Sequence, residues 1–280
     1  MSKVSIIILN YNGRSKLGPL LDEAIESAIN QSYGDVEVLF VDNGSSDDSV
    51  KYVRERFGDF VRVVELGHNY GFCLGNNLAI RYVSADSKYI LFQNPDAVLS
   101  KDYVETLVNL MNGESKIGAA QGLQLSMDGF SGYCGGFVDS YGRGVEVVVS
   151  NRLVKHLRGV FRVYWVSGSA MLIRRRLFEL LGGFPGEFFM YHDEIDLCSR
   201  IRAVGYECIC YPATSYRHAR GGIVGGGINW ITWYFANRNR WLTSLRYLPL
   251  NYLIESILMS GAVDLIANFI KSFKPWERNR

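Results

Sequence analysis

Val36-Glu37-Val38-Leu39-Phe40-Val41 runs straight into Asp42-Asn43-Gly44-Ser45-Ser46-Asp47-Asp48. A β-branched apolar run that stops at a cluster of turn formers reads as a buried parallel strand closed by a loop. The same pattern stands upstream, where Val4-Ser5-Ile6-Ile7-Ile8-Leu9 meets Asn10-Tyr11-Asn12-Gly13. Between them Leu17, Leu20, Leu21, Ala24, Ile25, Ala28 and Ile29 recur at helical spacing. A helix over about Ser49 to Phe57 and a third strand over Val61 to Leu66 come next. Strand, helix, strand, helix, strand predicts an α/β chain around a doubly wound sheet. Ligands of such sheets sit at the carboxyl ends of strands, and Asn10, Asp42 and Asn69 fall there. Asp42 has two open readings: acceptor for a base or ribose, or cap of its own turn.

The chain has 280 residues, 48% hydrophobic and 21% charged, which is an ordinary globular composition. A net charge of +2 gives no basic surface of the kind a nucleic acid requires, so none is expected as a partner. The charge is uneven: Arg217 to Arg280 carries nine Lys/Arg and three Asp/Glu. A basic C-terminal end suits a membrane surface or a phosphorylated substrate. Five cysteines at irregular spacing, with no CxxC, predict buried free thiols in a reducing compartment rather than a disulfide framework. With no signal peptide at the start of this sequence, the expected location is cytoplasmic.

Four further stretches carry chemistry. Gly67-His68-Asn69-Tyr70-Gly71-Phe72-Cys73-Leu74-Gly75-Asn76-Asn77 is glycine-rich and leads into a helix, yet matches neither a dinucleotide fingerprint nor a Walker loop. Its glycines permit close backbone approach to a ligand, and Asn76 is open to both a capping and a nucleotide-binding reading. Tyr89-Ile90-Leu91-Phe92-Gln93 is a strand that ends in Asn94-Pro95-Asp96, where a carboxylate can meet a hard divalent cation. Trp165-Val166-Ser167-Gly168-Ser169-Ala170 pairs an aromatic with small residues that leave room for a ligand. Phe188-Phe189-Met190-Tyr191-His192-Asp193-Glu194-Ile195-Asp196-Leu197-Cys198 sets three carboxylates at the start of a short helix ending near Gly205. His218, before the glycine segment through Gly227, is open to a metal-ligand or a structural reading beside a mobile lid. Ser126 to Arg158 shows no period and reads as a long loop or small hairpins; Arg174, Arg175 and Arg176 read as solvated helix-start charges.

Val41-Asp42-Asn43-Gly44-Ser45-Ser46-Asp47, Asn69-Tyr70-Gly71-Phe72, Gln93-Asn94-Pro95-Asp96 and Asp193-Glu194-Ile195-Asp196-Leu197-Cys198-Ser199-Arg200 stand in the order and spacing of family 2 inverting glycosyltransferases. The chain resembles their rhamnosyltransferase-like branch from about Lys3 to Arg240. The resemblance implies a GT-A fold: α/β, with a Rossmann-like nucleotide-binding half and a mixed central sheet. It implies that Asn10 and Asp42 meet base and ribose, with Asn12, Asn69, Gly71, Asn76 and Asn94 around the nucleotide. Asp96 matches the last acid of the family's metal motif and His218 its downstream histidine, for Mg²⁺ or Mn²⁺. The family's acidic pair is usually Glu-Asp with the second residue as base. Here Glu194 takes that place, and Asp193 is the alternative. Trp165, Gly168 and Ser169 are expected on the sugar and acceptor side.

The expected reaction moves a sugar from a dTDP- or UDP-linked donor to a hydroxyl of a glycan or polyprenyl-linked acceptor, as in polysaccharide biosynthesis. A nucleotidyltransferase acting on a sugar phosphate, and a non-catalytic sugar-binding module, are the competing readings. The expected domains are residues 1–227, catalytic, and 228–280, a C-terminal extension of amphipathic helices. There Leu250, Leu253, Ile254, Ile257, Leu258, Ala262, Leu265, Ile266 and Phe269 form a stripe, with Lys271, Lys274 and Arg278 beyond it. Glu255 and Asp264 within the stripe argue against a membrane span and for a helix lying on the cytoplasmic face. Packing on the domain or on a second copy of the chain is the other reading.

Overall fold

The computed structural model describes residues 2–154, 156–220 and 230–259. The glycine segment Gly221 to Gly227 and the stripe beyond Met259, with its basic tail, lie outside the described residues. The elements run β1 (Val4–Asn10), α1 (Gly13–Leu17), α2 (Pro19–Ile29), β2 (Val36–Asp42), α3 (Ser49–Phe57), β3 (Arg62–Glu65) and α4 (Gly71–Ala79). They continue with β4 (Tyr89–Gln93), β5 (Ala97–Leu99), α5 (Tyr103–Gly113), β6 (Ile117–Leu125), β7 (Ser131–Val138), β8 (Gly144–Ser150) and α6 (Asn151–Val154). After β9 (Phe161–Val163) come β10 (Ala170–Arg174), α7 (Arg175–Leu180), α8 (Asp193–Ala203), β11 (Glu207–His218) and α9 (Trp230–Tyr247).

One mixed sheet runs β3-β2-β1-β4-β10-β6-β11-β5, with β7 beside β6, β8 beside β7 and β9 beside β11. The first four strands are parallel. β10 enters antiparallel between β4 and β6. Side chains alternate across a strand, so β1 feeds two cores. Ile7 packs with Leu39, Val41 and Phe92, while Ile6 and Ile8 pack with Leu21, Ile25 and Phe40 on the other face. Both faces are covered, which is why these strands read as unbroken apolar runs.

The expected helix over Leu17 to Ile29 is two helices, broken at Gly18, where φ is +55°. Of the two readings of Ser126 to Arg158, the hairpin is the one found, as β7 and β8 pair antiparallel. Two expectations are corrected. Arg174 and Arg175 are ties rather than solvated charges: Arg174 donates to the carbonyls of Ile117 and Met111, and Arg175 to that of Ser84. Their guanidinium groups satisfy backbone carbonyls at the bottom of the sheet, which costs less than leaving those acceptors bare. Finally, Cys134 on β7 and Cys210 on β11 form a disulfide, so three cysteines rather than five are free thiols. The pairing comes from the sheet, which folds the hairpin back over β11; the spacing in sequence gives no sign of it. No helix among the described residues is long and apolar enough to cross a membrane.

Candidate active site

A cavity of about 780 Å³ opens at the carboxyl ends of β1 and β4. Among the expected residues, Asn10, Asn69, Gly71, Asn94, Asp96, Trp165, Gly168, Ser169, Asp193, Glu194 and His218 line it. Asn12, Asp42 and Asn76 do not. Asp42 is buried behind Asn10, whose amide donates to it at 3.1 Å, and the Ser45 amide caps its other oxygen at 2.9 Å. Asn12 caps the following turn through Ser46 N–H at 2.7 Å. Asn76 faces inward and donates to the Phe72 carbonyl.

Asn43 joins the two halves of one wall of the cavity. Its amide nitrogen donates to Asn69 Oδ1 and to the Gly71 carbonyl, both at 3.1 Å, and its oxygen accepts from Tyr70 N–H. The residue was in plain view beside Asp42, but a single asparagine in a turn carries no sign of reaching a second loop. Gly71 has φ +74°, and a Cβ there would stand 2.5 Å from the Phe189 carbonyl oxygen. Only glycine lets the Phe189 turn close on α4.

On the opposite wall, β11 pairs antiparallel with β5, setting His218 against Ala97. That register brings His218 Nε2 to 3.2 Å from Asp96 Oδ1 and 3.3 Å from the Asn94 amide. A carboxylate oxygen and an imidazole nitrogen this close suit neighbouring positions on one octahedral ion, whose ligands at about 2.1 Å lie about 3 Å apart. No cluster of three His, Cys, Asp or Glu fit to hold a metal exists among the described residues. The pair therefore fits a divalent ion that takes its other ligands from substrate and water.

Asp193 and Glu194 open α8, where free backbone N–H groups face the carboxylates. Burial pushes Asp193 well above the usual carboxylate range, and the charge of Glu194 adds to it. Burial also raises Glu194, with Glu146 across the cavity contributing. A Cβ at Gly168 would lie 3.8 Å from Asp193 Oδ2, so the bare backbone keeps the approach to the acids open. Trp165 is fixed by its indole N–H on the Phe137 carbonyl, and Ser169 by Tyr216 and Ser167. Asp196 takes another part. It is buried, and Arg200, Arg246 and Tyr247 all bond to it, locking α8 to α9.

Several lining residues escaped sequence reasoning. Glu146 on β8 pairs with Arg220 at 2.7 Å, and the Arg220 guanidinium lies over Tyr133. Gln124, Trp233 and Asn237 also line the cavity. Glu146 lies in a stretch with no readable period, and Trp233 lies beyond the expected domain boundary.

The mixed sheet with a cavity at its strand ends has the architecture of the GT-A fold. The chain belongs to glycosyl transferase family 2, whose pattern matches residues 5–196, and within it to the rhamnosyltransferase-like branch. It is 32% identical over 165 residues to rhamnosyltransferase WbbL of Escherichia coli, covering 52% of this chain and 60% of WbbL. It is 25% identical over 232 residues to N-acetylglucosaminyl-diphospho-decaprenol L-rhamnosyltransferase of Mycobacterium tuberculosis, covering 74% of each chain. The mannosyltransferase PcManGT from Pyrobaculum calidifontis, solved with GDP-Man and Mn²⁺, superposes with a TM-score of 0.58 at 19% identity, over 94% of this chain and 80% of that one.

Proposed function

We propose that this chain transfers a hexose, with inversion, from a dTDP- or UDP-linked donor to a hydroxyl of a glycan or polyprenyl-linked acceptor. The observation that carries the proposal is the pairing of Asp96–His218 and Asp193–Glu194 in one cavity. Two functions need two such centres: one for a charged leaving group, one for a proton. The relatives named above, one of them acting on a decaprenol-linked sugar by its name, support the donor and acceptor classes.

In this reading Asn10, Asn43 and Asn69 meet the nucleoside, and Asn94 stands beside the diphosphate. Asp96 and His218 hold Mg²⁺ or Mn²⁺, which when bound supplies positive charge against the departing diphosphate. Trp165, Gly168 and Ser169 shape the sugar and acceptor space. Glu194 takes the acceptor proton as the hydroxyl oxygen bonds to the anomeric carbon; on the other face, the bond to the diphosphate oxygen breaks. A raised carboxyl suits that task, because a base works best when its own acid strength approaches the operating pH. Asp193, raised by burial and by the neighbouring Glu194, lies beside it.

The exposed Leu250, Ile254, Ile257 and Leu258, all beyond α9, support peripheral contact with the cytoplasmic face of a membrane. We place the catalytic unit at the expected residues 1–227 together with α9, whose Trp233 and Asn237 line the cavity, and the membrane-directed extension beyond it. The buried Cys134–Cys210 bond is compatible with this location, since exchange requires a thiolate to reach the sulfurs.

The deciding experiment has two stages. Melting temperature is measured with UDP, dTDP and GDP, each with and without Mn²⁺; the matching sugar nucleotides then go into a turnover assay with a polyprenyl-diphosphate sugar acceptor. A metal-dependent rise with one nucleotide, followed by transfer, is the expected result. No rise with any nucleotide overturns the transferase reading.

A further inference from the structure

The turn that presents the catalytic carboxylates is held in an unfavourable shape. Phe189, Tyr191 and His192 have φ of +64°, +68° and +64°, three non-glycine residues in the left-handed region within four positions. Such residues persist only where their surroundings overdetermine them. Foremost among the surroundings is one buried side chain. Asn239, on α9 and fully buried, points its amide nitrogen at three carbonyls of the turn, one of its two hydrogens being shared between acceptors. It donates to the carbonyls of Phe188 at 2.9 Å, Met190 at 2.8 Å and Tyr191 at 2.9 Å. Its neighbour Arg238 reaches the carbonyls of Glu187 and Phe188. Phe235, one helical turn earlier on α9, stacks on Phe189 with ring centroids 5.1 Å apart. The Phe189 carbonyl itself accepts from the N–H groups of Phe72 and Cys73 at the start of α4.

We propose that Asn239 is a positioning residue for transfer: by tying these three carbonyls it fixes the Phe188–His192 turn and so the placement of Asp193 and Glu194. The proposal rests on the functional reading above. It makes α9 part of the catalytic machinery, although α9 lies past the expected domain boundary. Leucine, alanine or aspartate cannot substitute, since the turn offers only acceptors and needs an N–H donor at that point. A carboxylate would set negative charge against three carbonyl oxygens.

Asn239→Ala and Asn239→Asp test it, with Arg238→Ala as a milder second variant that loosens the same turn from the protein surface. Three readouts separate positioning from general loss of fold. The kcat falls about tenfold or more while the donor KM stays within about twofold, the signature of an interaction used at the reacting centre. The acid limb of the kcat profile moves to lower pH, because a loosened turn admits water to Glu194; Asp193 and Glu146, itself paired with Arg220, are the other charges facing it. Amide exchange at Met190, bonded to the Phe188 carbonyl, speeds up while exchange in β1 and β4 does not. A protein that is merely less stable loses active fraction at every pH without moving the limb. Should Asn239→Ala fail to fold, Arg238→Ala must still move limb and exchange in the same direction. Unchanged limb and exchange in a folded variant overturn the proposal. An inactive wild type overturns the functional reading instead, and the exchange measurement still decides whether Asn239 holds the turn.

Discussion

Asp96 and His218 stand 3.2 Å apart across 122 residues of sequence. Their meeting depends on one strand pairing, β11 against β5. If they share an ion, Asp96→Asn and His218→Ala each abolish the Mn²⁺-dependent part of the melting shift with the cognate nucleotide. The metal-independent part, from the Asn43–Asn69 wall, stays. A full Mn²⁺-dependent shift in both variants would remove the ion from this pair.

Glu194→Gln keeps shape and loses the base. Expected is a fall in kcat of about 10²-fold or more with donor binding retained. The wild-type profile carries a sign. Protonation of Glu194 stops the reaction as pH falls, and since burial raises its pKa, the loss sets in above the pH where a free glutamate titrates. Activity of Glu194→Gln equal to wild type would move the base to Asp193.

His192 is pushed down to about 4 from 6.5, by burial first and by Arg240 second. A depressed base binds its proton in the unfolded chain before the folded one. Stability from this residue is therefore lost as pH falls from about 6.5 toward 4, by about 3 kcal/mol at most. Asp193 and Glu194, raised in the fold, work in the opposite direction, so the comparison must be with a variant. His192→Asn tolerates the left-handed backbone. Urea melts at pH 7 and 4.5 should show wild type losing more stability than the variant; equal losses refute the assignment.

Titration of thiols in the denatured, unreduced protein should find three, with Cys134 and Cys210 silent. Cys134→Ser should then cost about 2–4 kcal/mol. Five titrating thiols would show that the bond does not form in the cell.

A chain cut after Tyr247 keeps the Arg246 and Tyr247 bonds to Asp196. The full chain should pellet with vesicles containing phosphatidylglycerol, more weakly at high salt, and the cut chain should not. Pelleting of the cut chain would sink the membrane reading. A dimer by light scattering that the cut splits would give the apolar stripe to a second copy instead.

The sequence by itself determined the sheet's first half and most of the cavity's chemistry. Strands β1, β2 and β4 are buried on both faces, so their apolar runs and the turn formers that stop them are local signals. The acidic start of α8 was legible for the same reason, since a helix start and its carboxylates lie side by side in the chain. What lies far apart in sequence was decided by the tertiary structure. Strand register sets His218 on Asp96, while the folding of the β7–β8 hairpin over the sheet sets Cys134 on Cys210 and brings Glu146 to the cavity from a stretch without period. Asn239 reads as one of four polar residues, Asn237 to Arg240, set among aromatics, and only the docking of α9 aims its amide at three carbonyls of the turn that carries the acids. A side chain's local pattern records which face is buried; it holds no record of what that face is buried against.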